Sequence, residues 1–340
     1  MIRRVARWPL SIPDPLGTML ELAEPFSRLT PRAFPLRAFR GGTGSTLERP
    51  RPAPPPGFVD RVEGAGDLFY RDTGRPPGGG RGTLLLLHGW MVPSDPHWFG
   101  AWSVLEDAGW RVIAMDARGH GRGLREAEPF RLVDCAADAA ALLRHLDPGL
   151  AVVVGYSMGG TIAQLLARDH PELLAGAVFC ATAAEFQTSI VMRAVWWNMA
   201  SLQLYLRLAP QWTWEAFVLA LARGDRRTTA WVVGELRRGA AWDIAEAGRE
   251  IGRFDSRQWI EGLGVPAAVV LTTVDFLVPP ARQRDLARRL GVAPVELRSD
   301  HLAPASTPRR FHAALLEALE RVSALAAPVA EARARSGAAS

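Results

Sequence analysis

The sequence predicts an α/β protein: a mostly parallel sheet flanked by helices, with a helical insertion after the sixth main strand. Three observations predict it. Short apolar runs alternate with stretches of helical spacing. One of those runs, Ala151-Val-Val-Val, enters Gly155-Tyr-Ser157-Met-Gly159 and continues at once into an Ala/Leu-rich helical pattern. The alternation stops over 185–262 and resumes afterwards, which marks an inserted segment rather than a second fold.

The elements follow in order. Residues 58–63 and 68–72 read as two short strands of a hairpin-like pair, and 83–87 as a buried strand that ends in the turn His88-Gly89-Trp90. Residues 98–109 are expected to form one helix stopped by Gly109, and 111–116 the next strand. The glycine-rich loop Ala117-Arg-Gly-His-Gly-Arg-Gly follows. Residues 130–146 carry apolar side chains at 133, 136, 137, 140 and 143, the spacing of a helix. The 151–160 strand and turn come next, then a strand at 176–181. Beyond the insertion lie a strand at 267–273, a helix at 281–290, a strand at 295–298 and a helix at 308–325. Residues 326–340, small and charged, are expected to be a flexible tail.

Composition narrows the chemistry. All 40 basic residues are arginine, so Schiff-base catalysis by lysine is excluded. Residues 1–57 hold nine arginines against four acidic residues and 11 of the 26 prolines, whereas the remaining residues balance at 31 and 31. The basicity belongs to an arm with a polyproline linker at its end, and the body has no basic surplus for a nucleic acid. Residues 16–26 of the arm fit a short amphipathic helix, a candidate for weak contact with a membrane surface. Prolines at 9, 13 and 15 break any signal-peptide core, and no apolar run is long enough to span a bilayer. A cytoplasmic location is expected, peripheral to the membrane if the arm makes that contact. Cys135 and Cys180 fall in a helix and a strand pattern and read as buried free thiols, with no zinc spacing. The expected organisation is an arm at 1–57, a core at 58–184 and 263–325, and the insertion at 185–262.

The ordered motifs carry a resemblance. Leu87-His-Gly-Trp90, Asp116-Ala-Arg-Gly-His-Gly, Gly155-Tyr-Ser-Met-Gly-Gly, Thr273-Val-Asp275-Phe-Leu-Val-Pro and Ser299-Asp-His301 together resemble the α/β-hydrolase superfamily, in its capped lipase- and esterase-like branch. The resemblance covers roughly residues 58–325. It implies an α/β-hydrolase fold, no cofactor and no metal, and a Ser-His-Asp triad.

Ser157 is then the nucleophile. Its glycine neighbours at 155 and 159 leave room where strand and helix approach in a sharp turn. A neutral hydroxyl is a weak nucleophile and needs a base. His301, on the loop after the last strand, is the expected base. His88 is expected to hold the neighbouring loop by hydrogen bonds, and His120, His145, His170 and His312 to be structural, while the loop of His97 could line the entrance. Asp275, at the end of a strand, is the expected acid. Its rivals are Asp300, next to the base, and Glu185, after the preceding strand; Asp116 is expected to tie down its own glycine loop. The resemblance implies the backbone N–H groups of Trp90 and Met158 as the oxyanion hole.

The insertion holds 7 of the 12 tryptophans. As a cap it would roof the serine with apolar surface, which suits an ester or thioester with a hydrophobic acyl part. Lactonase, carbon–carbon bond hydrolase and cofactor-free perhydrolase chemistry use the same three residues. A non-catalytic receptor that has kept the fold is the alternative outside enzymes.

Overall fold

The structure is a computed structural model that describes residues 53–125, 129–186, 198–209, 212–216 and 226–337. The chain divides into Met1–Leu47 and Glu48–Ser340, and the account below concerns the second. The expected arm, the tryptophans at 196 and 197 and residues 338–340 lie outside the described residues, apart from the end of the linker. That end joins the body. The Pro55 carbonyl accepts the buried Arg71 guanidinium at 2.8 Å, the Pro56 carbonyl accepts Asp72 N–H at 3.2 Å, and Gly57 already belongs to the first strand.

Eight strands form one sheet in the order β1-β2-β4-β3-β5-β6-β7-β8. They are β1 (Gly57–Val62), β2 (Gly66–Asp72), β3 (Thr83–Leu87), β4 (Arg111–Met115), β5 (Ala151–Tyr156), β6 (Leu174–Cys180), β7 (Ala267–Thr272) and β8 (Val295–Leu297). β1 and β2 pair antiparallel, as does β2 with β4, and every later pair is parallel. β3, β5 and β7 are buried at every position. Continuous burial is what a parallel strand with helices on both faces requires, and it explains why these runs read as unbroken Leu, Val and Ala.

Side chains from alternate positions feed two separate cores. Val153 points into one, with α3 (Leu132–Leu146), α4 (Met158–Asp169) and α8 (Pro280–Arg289). Val152 and Val154 point into the other, with α1 (Ser94–Trp98), α2 (Trp102–Asp107), α9 (Ala303–Ser306) and α10 (Pro308–Gly337). A third core belongs to the insertion between β6 and β7. It joins Met199, Leu202 and Leu206 of α5 (Met199–Leu208), Val233 and Leu236 of α6 (Arg226–Leu236), and Ile244 and Ala245 of α7 (Ala241–Arg253) to Met91 of the loop after β3.

Two helices differ from expectation. The expected helix at 98–109 is instead the pair α1 and α2, broken between Trp98 and Trp102. The break brings Gly100 so close to α10 that a Cβ there would lie 3.2 Å from His312 Cε1. At the other end, α10 continues to Gly337 through residues expected to be tail. Alanine-rich sequence favours that continuation.

Candidate active site

The first polar element stands where β5 turns into α4. Ser157 occupies that turn with φ 53° and ψ −113°, a conformation that costs a non-glycine residue about 1–3 kcal/mol and persists only where its surroundings enforce it. Here they do. Ser157 N–H donates to Cys180 O at 2.9 Å, and its carbonyl accepts Gly160 N–H at 2.9 Å and the Thr182 hydroxyl at 2.9 Å. The flanking glycines are required by contact: a Cβ on Gly155 would sit 2.7 Å from Gly160 Cα, and one on Gly159 would press into the carbonyls of Leu87 and His88. The turn is packed directly against the end of β3.

The loop after β8 brings His301 to this serine. His301 Nε2 lies 3.0 Å from Ser157 Oγ, and Nδ1 lies 2.7 Å from Asp275 Oδ2. Tyr156, next to the serine, donates its phenolic hydrogen to the His301 carbonyl at 2.8 Å and so fixes the backbone of the histidine loop. Asp275 is buried beyond the end of β7. Its Oδ1 accepts the N–H groups of Leu277 and Val278, each at 2.9 Å, while Oδ2 also accepts the Thr272 hydroxyl at 2.7 Å and Gln283 Nε2 at 3.2 Å. Gln283, fully buried on α8, also accepts Thr272 N–H at 3.0 Å and donates to Val278 O at 2.7 Å. A carboxylate that accepts this many donors is held in one orientation. Thr272, Gln283 and Tyr156 were not singled out from sequence. Their roles are set by neighbours brought together in space, and only the proximity of Tyr156 to Ser157 in the chain hinted at one.

The rival acids are engaged elsewhere. Asp300 Oδ1 accepts Leu302 N–H at 3.0 Å and the Ser306 hydroxyl at 2.8 Å, so its carboxylate closes its own loop. Glu185 is buried and ion-paired with Arg282. Accordingly Asp300→Asn and Glu185→Gln are each expected to cost at most about tenfold in turnover, roughly 1.4 kcal/mol in the barrier. Rate measurements with a soluble ester check this, and Glu185→Gln should lower the melting temperature only modestly, because the Arg282 side chain it leaves behind is 36% exposed and can turn to water. Asp116 accepts Ser94 N–H at 2.8 Å and Arg122 N–H at 2.9 Å, tying its glycine loop to the loop after β3.

The histidines sort by their partners. His88 Nε2 accepts Ala117 N–H at 2.9 Å, so Nδ1 carries the hydrogen and donates to Gly89 O at 2.8 Å. Burial holds its pKa below the ordinary value and keeps it neutral for this role. The His88 ring thus bolts the loop after β3 to the loop after β4. His120 is buried beside it, with its pKa pushed down by burial to about 3. His145 faces Asp60, His170 closes α4, and His312 lies on α10. His97 lies in the last turn of α1, with its ring 4.8 Å from that of Tyr156 and against Gly89 beside the serine, and burial drives its pKa well down.

The resemblance implies main-chain donors at Met158 and Trp90. Met158 is the residue after Ser157 and the first of α4, where helix N–H groups point toward the turn. Trp90 follows Gly89, whose absent Cβ would lie 3.7 Å from Ser157 Cβ. No group of residues suited to a metal is present among the described residues.

The family described as alpha/beta hydrolase fold matches residues 82–230, from β3 through the serine turn into the insertion. A non-heme haloperoxidase of Rhodococcus erythropolis is 38% identical over 124 residues, 36% of this chain and 42% of that protein. A bifunctional esterase/perhydrolase of Acinetobacter calcoaceticus is 34% identical over 123 residues, 36% of this chain and 43% of that protein. The chain therefore spans less than half the length of these curated relatives. The solved enol-lactonase of Burkholderia xenovorans LB400 superposes with a TM-score of 0.67 at 24% identity, over 77% of this chain and 99% of that one. The fold, the serine turn and these matches agree, and the chain has an α/β-hydrolase fold.

Of the five tryptophans of the insertion that can be described, Trp214 and Trp231 are buried in packing, Trp259 is partly buried, and Trp212 and Trp242 are exposed. No helix among the described residues is long and apolar enough to cross a membrane.

Proposed function

We propose that the protein is a serine hydrolase that cleaves a carboxylic ester, or a thioester, with a hydrophobic acyl part. The observation that carries this reading is the unbroken contact from Ser157 Oγ to His301 Nε2 at 3.0 Å and from His301 Nδ1 to Asp275 Oδ2 at 2.7 Å. In the first step Ser157 Oγ attacks the carbonyl carbon while His301 Nε2 takes the hydroxyl proton. Asp275 stabilises the resulting imidazolium and holds Nδ1–H toward itself. The carbonyl oxygen, now an oxyanion, accepts the N–H groups of Trp90 and Met158. Collapse of the tetrahedral adduct breaks the bond to the leaving oxygen or sulfur, which receives the proton from His301. A water then attacks the acyl-enzyme, His301 takes its proton, and the acid departs as Ser157 regains a hydrogen.

The insertion is the cap in this reading. It leaves the sheet after β6, where Thr182 touches Ser157, and its core takes in Met91 and the edges of Trp90 and Val92 from the loop after β3. The ring of Trp231 lies 5.3 Å from that of Phe99. A small hydrophobic ester entering beneath it is the proposed substrate.

A second reading, a perhydrolase using the same three residues, draws on the name of the Acinetobacter calcoaceticus relative. There, hydrogen peroxide replaces water in attacking the acyl-enzyme. The test is a series of p-nitrophenyl esters from acetate upward, each run with and without peroxide. Turnover should rise with acyl length through the first few carbons. A flat profile removes the hydrophobic acyl preference, and peracid formed faster than carboxylic acid favours the second reading.

A further inference from the structure

We infer that the indole of Trp90 is a latch that sets the oxyanion hole from the insertion, with Trp90 and Gly248 as positioning residues. The inference rests on the reading of Trp90 N–H as an oxyanion donor. Trp90 Nε1 donates to the carbonyl of Ile244 on α7 at 2.7 Å, across 154 residues of chain. Within the helix that carbonyl already faces the N–H of residue 248, and its second lone pair is what an outside donor can use. The residue at 248 is glycine. A Cβ there would lie 2.9 Å from Trp90 Cζ2 and would also press on Met199 Sδ. The bare glycine backbone lets the indole lie flat against the helix and reach Ile244.

Helix α7 is a fixed support rather than a loose flap. Just before it, Ala240 N–H donates to Gly119 O at 2.8 Å and the Arg238 carbonyl accepts Arg125 at 2.6 Å. Just after it, Ser256 N–H donates to Ala184 O at 2.7 Å and the Ser256 hydroxyl to Gln164 at 2.6 Å. Both ends are thus tied to the sheet domain. The loop after β3 contains Met91 at φ 69°, a strained position that local sequence does not favour. The indole bond and the His88 bond to Gly89 hold this loop from its two sides. Misplacing a donor by about 1 Å can cost about a hundredfold in rate, so the latch bears on the transition state rather than on ground-state binding.

The full chain tests this with p-nitrophenyl acetate for turnover, a fluorophosphonate for the reactivity of Ser157, and butylboronic acid as a mimic of the tetrahedral adduct. Trp90→Phe keeps a ring but loses the N–H. Its kcat is expected to fall about tenfold to a hundredfold with KM within about twofold, and boronate affinity is expected to fall by the same factor as kcat. Gly248→Ala should show the same split, and the double variant should be no worse than the poorer single one, because both act through one contact. Leu206→Ala unpacks the core of the insertion away from Gly248 and leaves the latch. It should lower the melting temperature while kcat stays within about twofold. The latch is overturned if kcat survives in Trp90→Phe and Gly248→Ala, or if Leu206→Ala loses as much. Should Trp90→Phe not fold, an unchanged kcat in Gly248→Ala overturns it alone. A wild-type protein that neither turns over the ester nor labels at Ser157 overturns the hydrolase reading, and the latch with it.

Discussion

Ser157→Ala is expected to abolish ester turnover and labelling by a fluorophosphonate probe, with the melting temperature at or above that of the wild type. The loss should reach about 10⁶-fold, the scale seen when a triad nucleophile is removed. The stability expectation comes from the backbone. Ser157 contributes its N–H and carbonyl to the turn, and these bonds remain in alanine. The side chain contributes only the 3.0 Å contact with His301. Mass spectrometry of the labelled wild type locates the modified residue. Labelling at any other serine, or turnover that persists in the variant, would remove Ser157 from the chemistry.

Asp275→Asn is expected to lower kcat by about 10⁴-fold, because an amide in that place favours the wrong histidine tautomer and does not stabilise an imidazolium. The neighbours sharpen the expectation. Oδ1 accepts two backbone N–H groups and must stay an oxygen, so the new NH₂ is directed to the Oδ2 side. There it meets the Gln283 amide hydrogens and His301 Nδ1. It can donate to Nδ1 only if that nitrogen has no hydrogen, and this puts the hydrogen on Nε2, facing the serine. The variant should therefore fold but lack a base. Kinetics over several orders of magnitude, with circular dichroism as the folding control, decide the matter. A loss of tenfold or less would mean that another group orients His301.

The sheet was readable from the chain because its strands are buried on both faces. Such strands must be continuous runs of Leu, Val and Ala, and glycine must bracket the serine where β5 meets α4. The candidate triad was legible as a set of positions: Ser157 from its turn, and His301 and Asp275 from where the resemblance places a base and an acid after strands. What surrounds them was not. Gln283 reaches Asp275 from the next helix, and nothing in Pro280-Ala-Arg-Gln marks that glutamine as buried. The break between α1 and α2 depends on how α10 packs at Gly100, a contact between residues over 200 positions apart, which a local helical pattern cannot register. The persistence of α10 to Gly337 went the other way, since small charged residues read as tail and yet have strong helix propensity.

The position of the insertion also sets an order on synthesis. Ser157 and both proposed oxyanion donors leave the ribosome before it, and the proposed acid and base leave after it, with 144 residues separating His301 from Ser157. The nascent chain can close β3, β4, β5 and β6 into a partial sheet, since these strands are mutual neighbours. β7 and β8 must then add to the open edge of that sheet, pairing first β6 with β7. Long-range pairings of this kind form late, because the loop between them must close first. Until they form, Ser157 has no His301 beside it. In the proposed mechanism the growing polypeptide thus carries its strained turn without nucleophilic power, and reactivity would begin only when the last strand is released and docks.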